Sequence, residues 1–282
     1  MSRPHPDLRT TVRAADGTGT VDRIIRCVVV PLDFGAHADR ALPVASALAH
    51  QIGAELAVVT VSSPHLDPLR DEAEIRWHAA ATGTTVDQVF VRHDDDVTAG
   101  VLAATEACDG VLCNATHAYG HLAGLLLDGV SAELLRRSTA PLLQVGPSVD
   151  VTGGARRSVL LCTDATAPRA ETIAAARRWS ALLDVPVEIV QVMAPDRHGV
   201  HDPAAERISA ELAARDIGAV PRIVLTHQAA DDVILDIATD LPDPLVIVGT
   251  HARRSHSSPA LGPVSHAVVE RSLHPVLVVP AP

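Results

Sequence analysis

Short, continuously apolar segments alternate along the chain with longer alanine-rich segments in which apolar residues recur at helical spacing. Runs rich in valine, isoleucine and leucine are typical of parallel strands that helices cover on both faces. The runs predict five strands in each half of the chain: 26–32, 55–61, 87–92, 110–114 and 141–145, then 158–163, 187–193, 222–226, 244–248 and 275–279. About four helices per half are predicted between them. The pattern therefore predicts an α/β protein with two doubly wound domains, each a five-stranded parallel sheet with helices on both faces.

The second half of the chain repeats residues of the first. The apolar run CVVVPLD ends at Asp33 and the run VLLCTD ends at Asp164, 131 residues later. The turns ATHA (115–118) and GTHA (249–252) lie 134 residues apart. The same offset of 134 relates further identical pairs: Leu127/Leu261, Val130/Val264, Ser131/Ser265, Arg137/Arg271, Ser138/Ser272, Pro141/Pro275, Leu143/Leu277 and Val145/Val279. So many identities in one register predict an internal duplication.

The boundary between the two predicted domains falls in GPSVDVTGGARR, where proline, glycine and serine cluster. We expect a first domain over 23–147 and a second over 156–282, after a flexible polar tail over 1–22. The amino-terminal region has no apolar signal segment, and no apolar run approaches the roughly 18 residues of a membrane span. The expectation is a cytoplasmic protein with no membrane partner.

Composition excludes several classes of function. The net charge of −11 and an aromatic content of 2% argue against nucleic acid as a partner. The chain has no lysine, which excludes Schiff-base chemistry and a P-loop lysine. Its four cysteines, Cys27, Cys108, Cys113 and Cys162, form no CxxC pair and read as buried, reduced thiols. The histidine pairs lack a third ligand, so no metal site is predicted.

Candidate binding residues follow the first and fourth predicted strands of each half, where open parallel sheets bind ligands. Asp33 and Asp164 can accept a hydrogen bond from a ribose hydroxyl or an exocyclic amine, or simply cap the next helix. In the second half, Gly249 allows a sharp turn off the strand, and Gly262 precedes a helical pattern. The N–H groups at the start of that helix suit a phosphate. Arg253 and its neighbour Arg254 are candidate counter-charges.

Over roughly residues 24 to 280 the chain resembles two universal stress protein domains in tandem. The strand ends VVVPLD and VLLCTD, the turns ATHA and GTHARR, and the final strands APLLQV and HPVLVV carry the resemblance. It implies a five-stranded nucleotide-binding α/β fold. One branch of this family binds ATP through a G-x2-G-x9-G-[S/T] pattern and the first-strand aspartate. Another branch lacks the pattern and does not bind.

In the second half, the resemblance implies a weakened site for ATP, with or without Mg²⁺. Ala252 replaces the second glycine, which costs roughly 1 kcal/mol if the backbone there needs positive φ. Pro263 replaces the hydroxyl residue and removes an N–H group. The cofactor-binding residues that the resemblance implies are Thr163, Asp164, Val192, Gly249, His251, Ala252, Arg253, Gly262, Pro263, Val264 and Ser265.

The first half departs further from the family pattern. It keeps Asp33 and Val61, but its glycine positions become Ala115, Ala118 and Asp128, with Gly129 after them. An aspartate at a helix N-terminus takes the place of a phosphate and repels one. We expect no ATP binding in the first half, and some restoration by Asp128→Gly combined with Gly129→Ser.

The resemblance and the residues together predict a cytoplasmic stress-response protein whose second domain binds ATP weakly and acts as a sensor or regulator. The alternative is a nucleotide-independent scaffold that acts through protein–protein contacts, and a third hypothesis is a weak ATPase. No catalytic motif is recognisable, so we expect no enzymatic activity. The resemblance also implies that the two halves pair through their fifth strands, 141–145 and 275–279, and a homodimer of whole chains stays open. Trp77 and Trp179, both in helical segments, are predicted to pack in the interior.

Overall fold

The computed structural model describes residues 25–33, 38–62, 68–116, 129–152, 154–163, 170–193, 214, 217–250 and 261–281. The strands are β1 (Cys27–Pro31), β2 (Glu55–Ser62), β3 (Gln88–His93), β4 (Val111–Ala115), β5 (Leu142–Val145), β6 (Ser158–Thr163), β7 (Val187–Met193), β8 (Val220–Leu225), β9 (Pro244–Gly249) and β10 (Val276–Val279). The helices are α1 (Ala41–Ile52), α2 (Pro68–Ala81), α3 (Val97–Ala107), α4 (Val130–Arg137), α5 (Ala170–Leu183), α6 (Ala230–Asp240) and α7 (Pro263–Arg271). The predicted strands are confirmed, with bounds that differ by at most two residues.

The strands form one ten-stranded sheet in the order β3-β2-β1-β4-β5-β10-β9-β6-β7-β8. Within each half the neighbouring strands are parallel, and the second half has the same strand order as the first. The halves meet where β5 and β10 pair antiparallel, with Leu143 opposite Leu277. The predicted α/β fold and this strand pairing are confirmed. Because the junction is antiparallel, the carboxyl ends of the strands point to opposite ends of the sheet in the two halves.

Helices cover both faces of the sheet, as the apolar character of the strands requires. Buried residues of α1, α2 and α5, among them Leu42, Ile75 and Trp179, pack on one face. The other face packs against α3, α4, α6 and α7. Among the described helices, none combines the length and apolar character needed to cross a membrane.

One of the two tryptophans differs from the prediction. Trp179 is buried as expected, but Trp77 is 67% exposed. Among the α2 side chains that the structure describes, residues 72–81, the buried ones are Ile75 and Ala79, which face the sheet. Trp77 lies two positions from each, which places it on the opposite side of the helix. The prediction that Trp77 packs in the interior is therefore wrong.

The segment between the two halves is fixed by side chains of α1 and of the turn that precedes it. The guanidinium of Arg40 donates to the carbonyls of Pro147 and Val149, at 3.0 and 2.8 Å. The Gln51 amide donates to the Arg156 carbonyl and accepts from the Arg156 N–H group, both at 2.7 Å. These bonds connect the first half to the backbone that leads into β6.

Gly146, directly after β5, lies against α7 of the other half. A Cβ atom on Gly146 would lie 2.0 Å from the carbonyl oxygen of Val269. That distance is far below van der Waals contact, so only glycine fits without a backbone shift. The close approach brings the end of β5 and the last turns of α7 into one packed unit.

The two half-sheets have the same backbone hydrogen bond at the edge where their parallel strands begin. The Arg26 N–H group donates to the Asp109 carbonyl at 3.1 Å, and the Arg157 N–H group donates to the Asp243 carbonyl at 3.1 Å. Both aspartates have positive φ, 49° for Asp109 and 39° for Asp243. The same local structure therefore precedes β4 and β9.

Candidate functional site

The candidate site lies at the strand-order switch of the second half. There β6 and β9 are parallel neighbours. The strand that follows β6 in the chain, β7, lies on one side of this pair, and the strand that follows β9, β10, lies on the other. The register pairs Leu161 with Ile247, and the two strands end two residues later, at Thr163 and Gly249. Open α/β sheets bind ligands at such points. Thr163 and Gly249, predicted from separate segments, thus end neighbouring strands at the carboxyl edge.

The described residues at both ends of the β9–α7 connection are held by hydrogen bonds. The Ser265 hydroxyl donates to the Gly249 carbonyl at 3.0 Å. The Thr250 N–H group donates to the Val279 carbonyl at 2.9 Å, and the Thr250 hydroxyl accepts from the Ala281 N–H group at 2.8 Å. Ser265 and Thr250 are both buried. The start of α7 is therefore fixed relative to the end of β9.

The N-terminus of α7 has no side-chain cap from its N-cap residue. That residue is Gly262, in extended conformation, and Pro263 occupies the first helical position. By contrast, α3 is capped by Asp96, whose carboxylate accepts from the Ala99 N–H group at 3.0 Å. The first N–H groups of a helix attract an anion, and α7 supplies no carboxylate at its N-cap. This end of α7 is therefore suited to a phosphate group.

Packing also favours a small residue at position 249. A Cβ atom on Gly249 would lie 3.2 Å from Cγ2 of Thr172 on α5, which is tighter than ordinary contact. In the first half the corresponding strand ends in Ala115, and the helix residue that corresponds to Thr172 is Ala41. The larger strand residue thus corresponds to the smaller helix residue in the first half, and the smaller strand residue to the larger helix residue in the second. Packing against Thr172 can therefore explain the glycine at position 249 without any ligand.

In the first half, the equivalent helix α4 begins one residue later than α7 does. Its N-cap is Gly129, with φ 104° and ψ −161°, and α4 begins at Val130. In the second half the equivalent of Gly129 is Pro263, which is already helical. A serine at 129 would be strained at this φ. The sequence prediction that Gly129→Ser helps restore binding did not anticipate this strain.

A buried polar network beside the junction was missed by sequence reasoning. The Asn114 amide donates to the Ser131 hydroxyl at 2.9 Å and to the Gln144 side-chain oxygen at 3.4 Å. The second half has Val248 and Val278 at the positions of Asn114 and Gln144. The sequence does indicate this network, because Asn114 and Gln144 are amide side chains inside otherwise apolar strands. This network makes the first half-sheet more polar beneath α4.

Two further residues lie near the carboxyl edge of β6 and β7. The Thr163 hydroxyl donates to the Val190 carbonyl at 3.3 Å, so its proton is used in a hydrogen bond within the sheet. Val192 is half-buried on the face that carries α6 and α7. Sequence reasoning did not select Gln191, which is buried and whose side-chain oxygen has no hydrogen-bond partner among the residues that the structure describes. Burial raises the pKa of the neighbouring Cys162 thiol to about 12, so Cys162 stays protonated at neutral pH.

The remaining predicted site residues lie outside the described residues. They are Asp164, His251, Ala252 and Arg253 in the second half, and Ala118 and Asp128 in the first. Asp33 is described and exposed at the carboxyl edge of β1. Across the described ranges, no three His, Cys, Asp or Glu side chains are grouped as a metal ion requires.

Comparison with protein families identifies one domain. Residues 156–280 match the model of the universal stress protein family. No curated protein sequence gives a significant match to the chain. The family match covers the second half, which contains the candidate site.

Solved structures share the fold over most of the chain. A putative universal stress protein from Pseudomonas aeruginosa UCBPP-PA14 is 18% identical, with a TM-score of 0.61 over 92% of this chain and 94% of that one. A universal stress protein from Archaeoglobus fulgidus DSM 4304 is 17% identical, with a TM-score of 0.59 over 89% and 95%. The cytoplasmic domain of a prokaryotic cation chloride cotransporter is 11% identical, with a TM-score of 0.51 over 90% and 94%. At these identities the likeness shows the fold, and function has to be argued from the site.

Proposed function

We propose that the second half binds an adenine nucleotide such as ATP at the carboxyl edge of β6 and β9. The bound nucleotide would regulate contacts with partner proteins in a cytoplasmic stress response. The observation that carries the proposal is the uncapped N-terminus of α7, which Ser265 holds at the end of β9. The family match over 156–280 supports an assignment to this half rather than the other.

The phosphates would bind to the first N–H groups of α7, those of Val264 and Ser265. These groups lie at the positive end of the helix dipole. The Ser265 hydroxyl donates to Gly249, so its single proton does not serve a phosphate and instead positions the helix. Pro263 has no N–H group, which leaves one contact fewer than a serine would provide. The proposed affinity is therefore weak.

Charge also limits the affinity. The net charge of −11 repels a polyanionic ligand over long range, although salt screens this effect. The α7 N-terminus and the arginines of the β9–α7 connection, Arg253 and Arg254, would supply local positive charge. Mg²⁺ bound to the phosphates would reduce the repulsion further. We expect binding to be stronger with Mg²⁺ than without it.

The second candidate function is a nucleotide-independent scaffold, because packing alone explains several retained motif residues. A small residue at position 249 suits the close approach of Thr172, and the Ser265 hydroxyl donates a hydrogen bond that joins α7 to β9. Pro263 is compatible with the first turn of any helix. In this case both half-sheets would serve only to build a surface for partner proteins. For both candidate functions we propose that the protein is not an enzyme.

Calorimetric titration of the nucleotide-stripped full chain with ATP and MgCl₂ separates the two functions. The nucleotide proposal predicts one site per chain, which Asp164→Ala abolishes. Asp33→Ala is the matched control, since Asp33 closes the equivalent strand of the first half, and it should leave the binding unchanged. No heat up to millimolar ATP, together with an unchanged melting temperature, would favour the scaffold. Analysis of ATP after incubation with the protein tests for turnover.

A further inference from the structure

Two cysteines of the first half lie side by side at the amino edge of its sheet. Cys27 is the first residue of β1, and Cys108 directly follows α3. A hydrogen bond of 3.1 Å from the Arg26 N–H group to the Asp109 carbonyl ties the two segments together. A Cβ atom on Gly110 would lie 3.1 Å from the Cys108 sulfur and 3.3 Å from the Cys27 carbonyl oxygen. The two cysteines therefore flank the same small space.

Both side chains belong to the apolar cluster on the face of the sheet that α3 covers, with Cys27 inside the cluster and Cys108 packed against it. Each thiol also influences the pKa of the other, as expected of neighbouring groups. The Cys108 sulfur also lies 3.4 Å from the Ala104 carbonyl and 3.6 Å from the Thr105 carbonyl, which fixes its position at the end of α3. Cys27 is 1% exposed, whereas Cys108 is half-buried. A reagent from solvent therefore reaches Cys108 first, with Cys27 behind it.

The equivalent place in the second half has the same backbone without the sulfur atoms. Ser158 stands at the position of Cys27 and donates to the carbonyl of Pro242, which stands at the position of Cys108, at 3.1 Å. The backbone hydrogen bond between Arg157 and Asp243 repeats the one at the cysteines. The fold at this edge therefore does not require thiols. The thiol pair is therefore present in the first half without being needed for the fold there.

We propose that Cys27 and Cys108 are a redox modification site that forms an intramolecular disulfide when the protein meets a hydroperoxide. With hydrogen peroxide, the Cys108 sulfur attacks the O–O bond and becomes a sulfenic acid, and one water is released. The Cys27 sulfur then attacks the Cys108 sulfur, the S–S bond forms, and the sulfenic oxygen leaves as a second water with the Cys27 proton. Two thiols are oxidised and one peroxide is reduced.

The surroundings of the pair set its rate. Burial raises the pKa of both thiols, that of Cys27 to about 12. The carboxylate of Glu55 acts in the same direction on both, and Asp109 adds to the effect on Cys108. Arg26 opposes it at Cys27. Because the thiolate is the reacting form, the pair reacts slowly at neutral pH and faster as pH rises. It therefore responds to sustained exposure to oxidant rather than to a brief pulse.

The test uses the reduced full chain, treated with hydrogen peroxide and then alkylated under denaturing conditions. Peptide mass spectrometry should show a Cys27–Cys108 linkage within one chain, two hydrogen atoms lighter than the reduced pair. The linkage should be absent from Cys27→Ser and Cys108→Ser, and retained in Cys113→Ser and Cys162→Ser. Serine already occupies the position of Cys27 in the second half, so Cys27→Ser should fold. Cys108→Ser gives the same test if it does not.

A second readout is thermal stability. The linkage joins the start of β1 to the end of α3, and a cross-link over so long a loop restricts the unfolded chain. Peroxide should therefore raise the melting temperature of the wild type, dithiothreitol should reverse the change, and Cys108→Ser should show none. The proposal is overturned if Cys108 oxidises to sulfinic acid while Cys27 stays reduced. It is equally overturned if the linkage forms only between chains, or if Cys108 resists oxidation even at pH about 9, where more thiolate is present.

Discussion

The hydroxyl of Ser265, in the first turn of α7, donates a 3.0 Å hydrogen bond to the main-chain carbonyl of Gly249 at the end of β9. The bond joins two residues that a whole strand-to-helix connection separates in sequence. It fixes the distance between the strand end and the helix N-terminus that we propose binds phosphate. Positioning of α7, rather than direct contact with a ligand, is therefore the role that the structure gives to the Ser265 side chain.

Ser265→Ala should weaken ATP binding, because α7 loses its tie to β9. A net loss of about 1 kcal/mol for one hydrogen bond corresponds to roughly a fivefold increase in Kd. Calorimetric titration measures it. Ser131→Ala is the matched control, since Ser131 occupies the same position in α4 but accepts from Asn114. It should lower stability without changing affinity, and equal affinity of Ser265→Ala and wild type would contradict the positioning role.

Gly249→Ala should destabilise the protein by about 1–2 kcal/mol, because the new methyl group crowds Cγ2 of Thr172. Thr172→Ser removes that methyl group and keeps the hydroxyl. The double variant should therefore recover most of the lost stability, which thermal melting of all four proteins measures. The reverse pairing in the first half, Ala115 with Ala41, motivates this rescue. Strictly additive effects would show that the two side chains do not conflict.

Pro263→Ser should raise ATP affinity, because it returns an N–H group and a hydroxyl to the first position of α7. One hydrogen bond to a charged ligand contributes about 1.5–3 kcal/mol, so an increase in affinity of at least roughly tenfold is expected. Gly129→Ser is the control at the equivalent position. Its φ of 104° makes serine strained there, so this variant should lose stability and gain no binding. No change in titration for Pro263→Ser would favour the scaffold function.

Acidification should destabilise the junction through His274, which lies two residues before the start of β10. Burial lowers its pKa, and the nearby Arg156 acts in the same direction, whereas Asp243 and Asp150 oppose it. In the unfolded chain His274 titrates at its ordinary value, so it binds a proton there before it does in the folded protein. Its contribution is therefore complete above about pH 6.5 and is lost as pH falls toward the lower folded value.

His274→Gln removes this titration and should flatten the melting temperature between about pH 7 and pH 5. His50→Gln, at an exposed position of α1, is the control and should leave the slope unchanged. If His274→Gln keeps the wild-type slope, other groups cause the acid sensitivity.

Gly146→Ala should disrupt the contact between the halves. Its Cβ atom would lie 2.0 Å from the Val269 carbonyl oxygen, which belongs to a helix backbone and cannot rotate away. We expect a loss of about 3 kcal/mol or more, and faster proteolysis within residues 146–157. Gly154→Ala is the control, because no atom of the described residues lies within 4 Å of a Cβ atom there. Similar melting temperatures for the two variants would show that the close contact is not maintained in solution.

The sheet could be predicted from sequence because each strand is a short apolar run between helical patterns. The place of Pro263 at the start of α7 followed from its fixed φ and missing N–H group. In both cases a local rule, applied to consecutive residues, was sufficient. The β5–β10 pairing followed instead from the resemblance to universal stress protein domains, and it places Leu143 opposite its equivalent Leu277.

Contacts between distant residues could not be predicted in this way. The crowding of Gly249 by Thr172 depends on how closely α5 packs on β9, and no motif expresses that distance. Cys27 and Cys108 were considered as separate buried thiols, because nothing in their spacing indicates that they meet. Trp77 faces solvent because Ile75 and Ala79 determine which side of α2 is inward. The sequence contains this information, but only when the helix is placed on its sheet.

The antiparallel β5–β10 junction has a consequence for how the two halves can diverge. In a dimer of identical subunits every substitution occurs twice, so neither copy can change without the other. Here one chain supplies both partners, and each half accumulates its own substitutions, as Ala115 against Gly249 and Cys27 against Ser158 illustrate. The covalent connection also holds the partners at a high effective concentration, so their one-to-one ratio survives dilution. The molecule thus joins two half-sheets of different sequence within one chain.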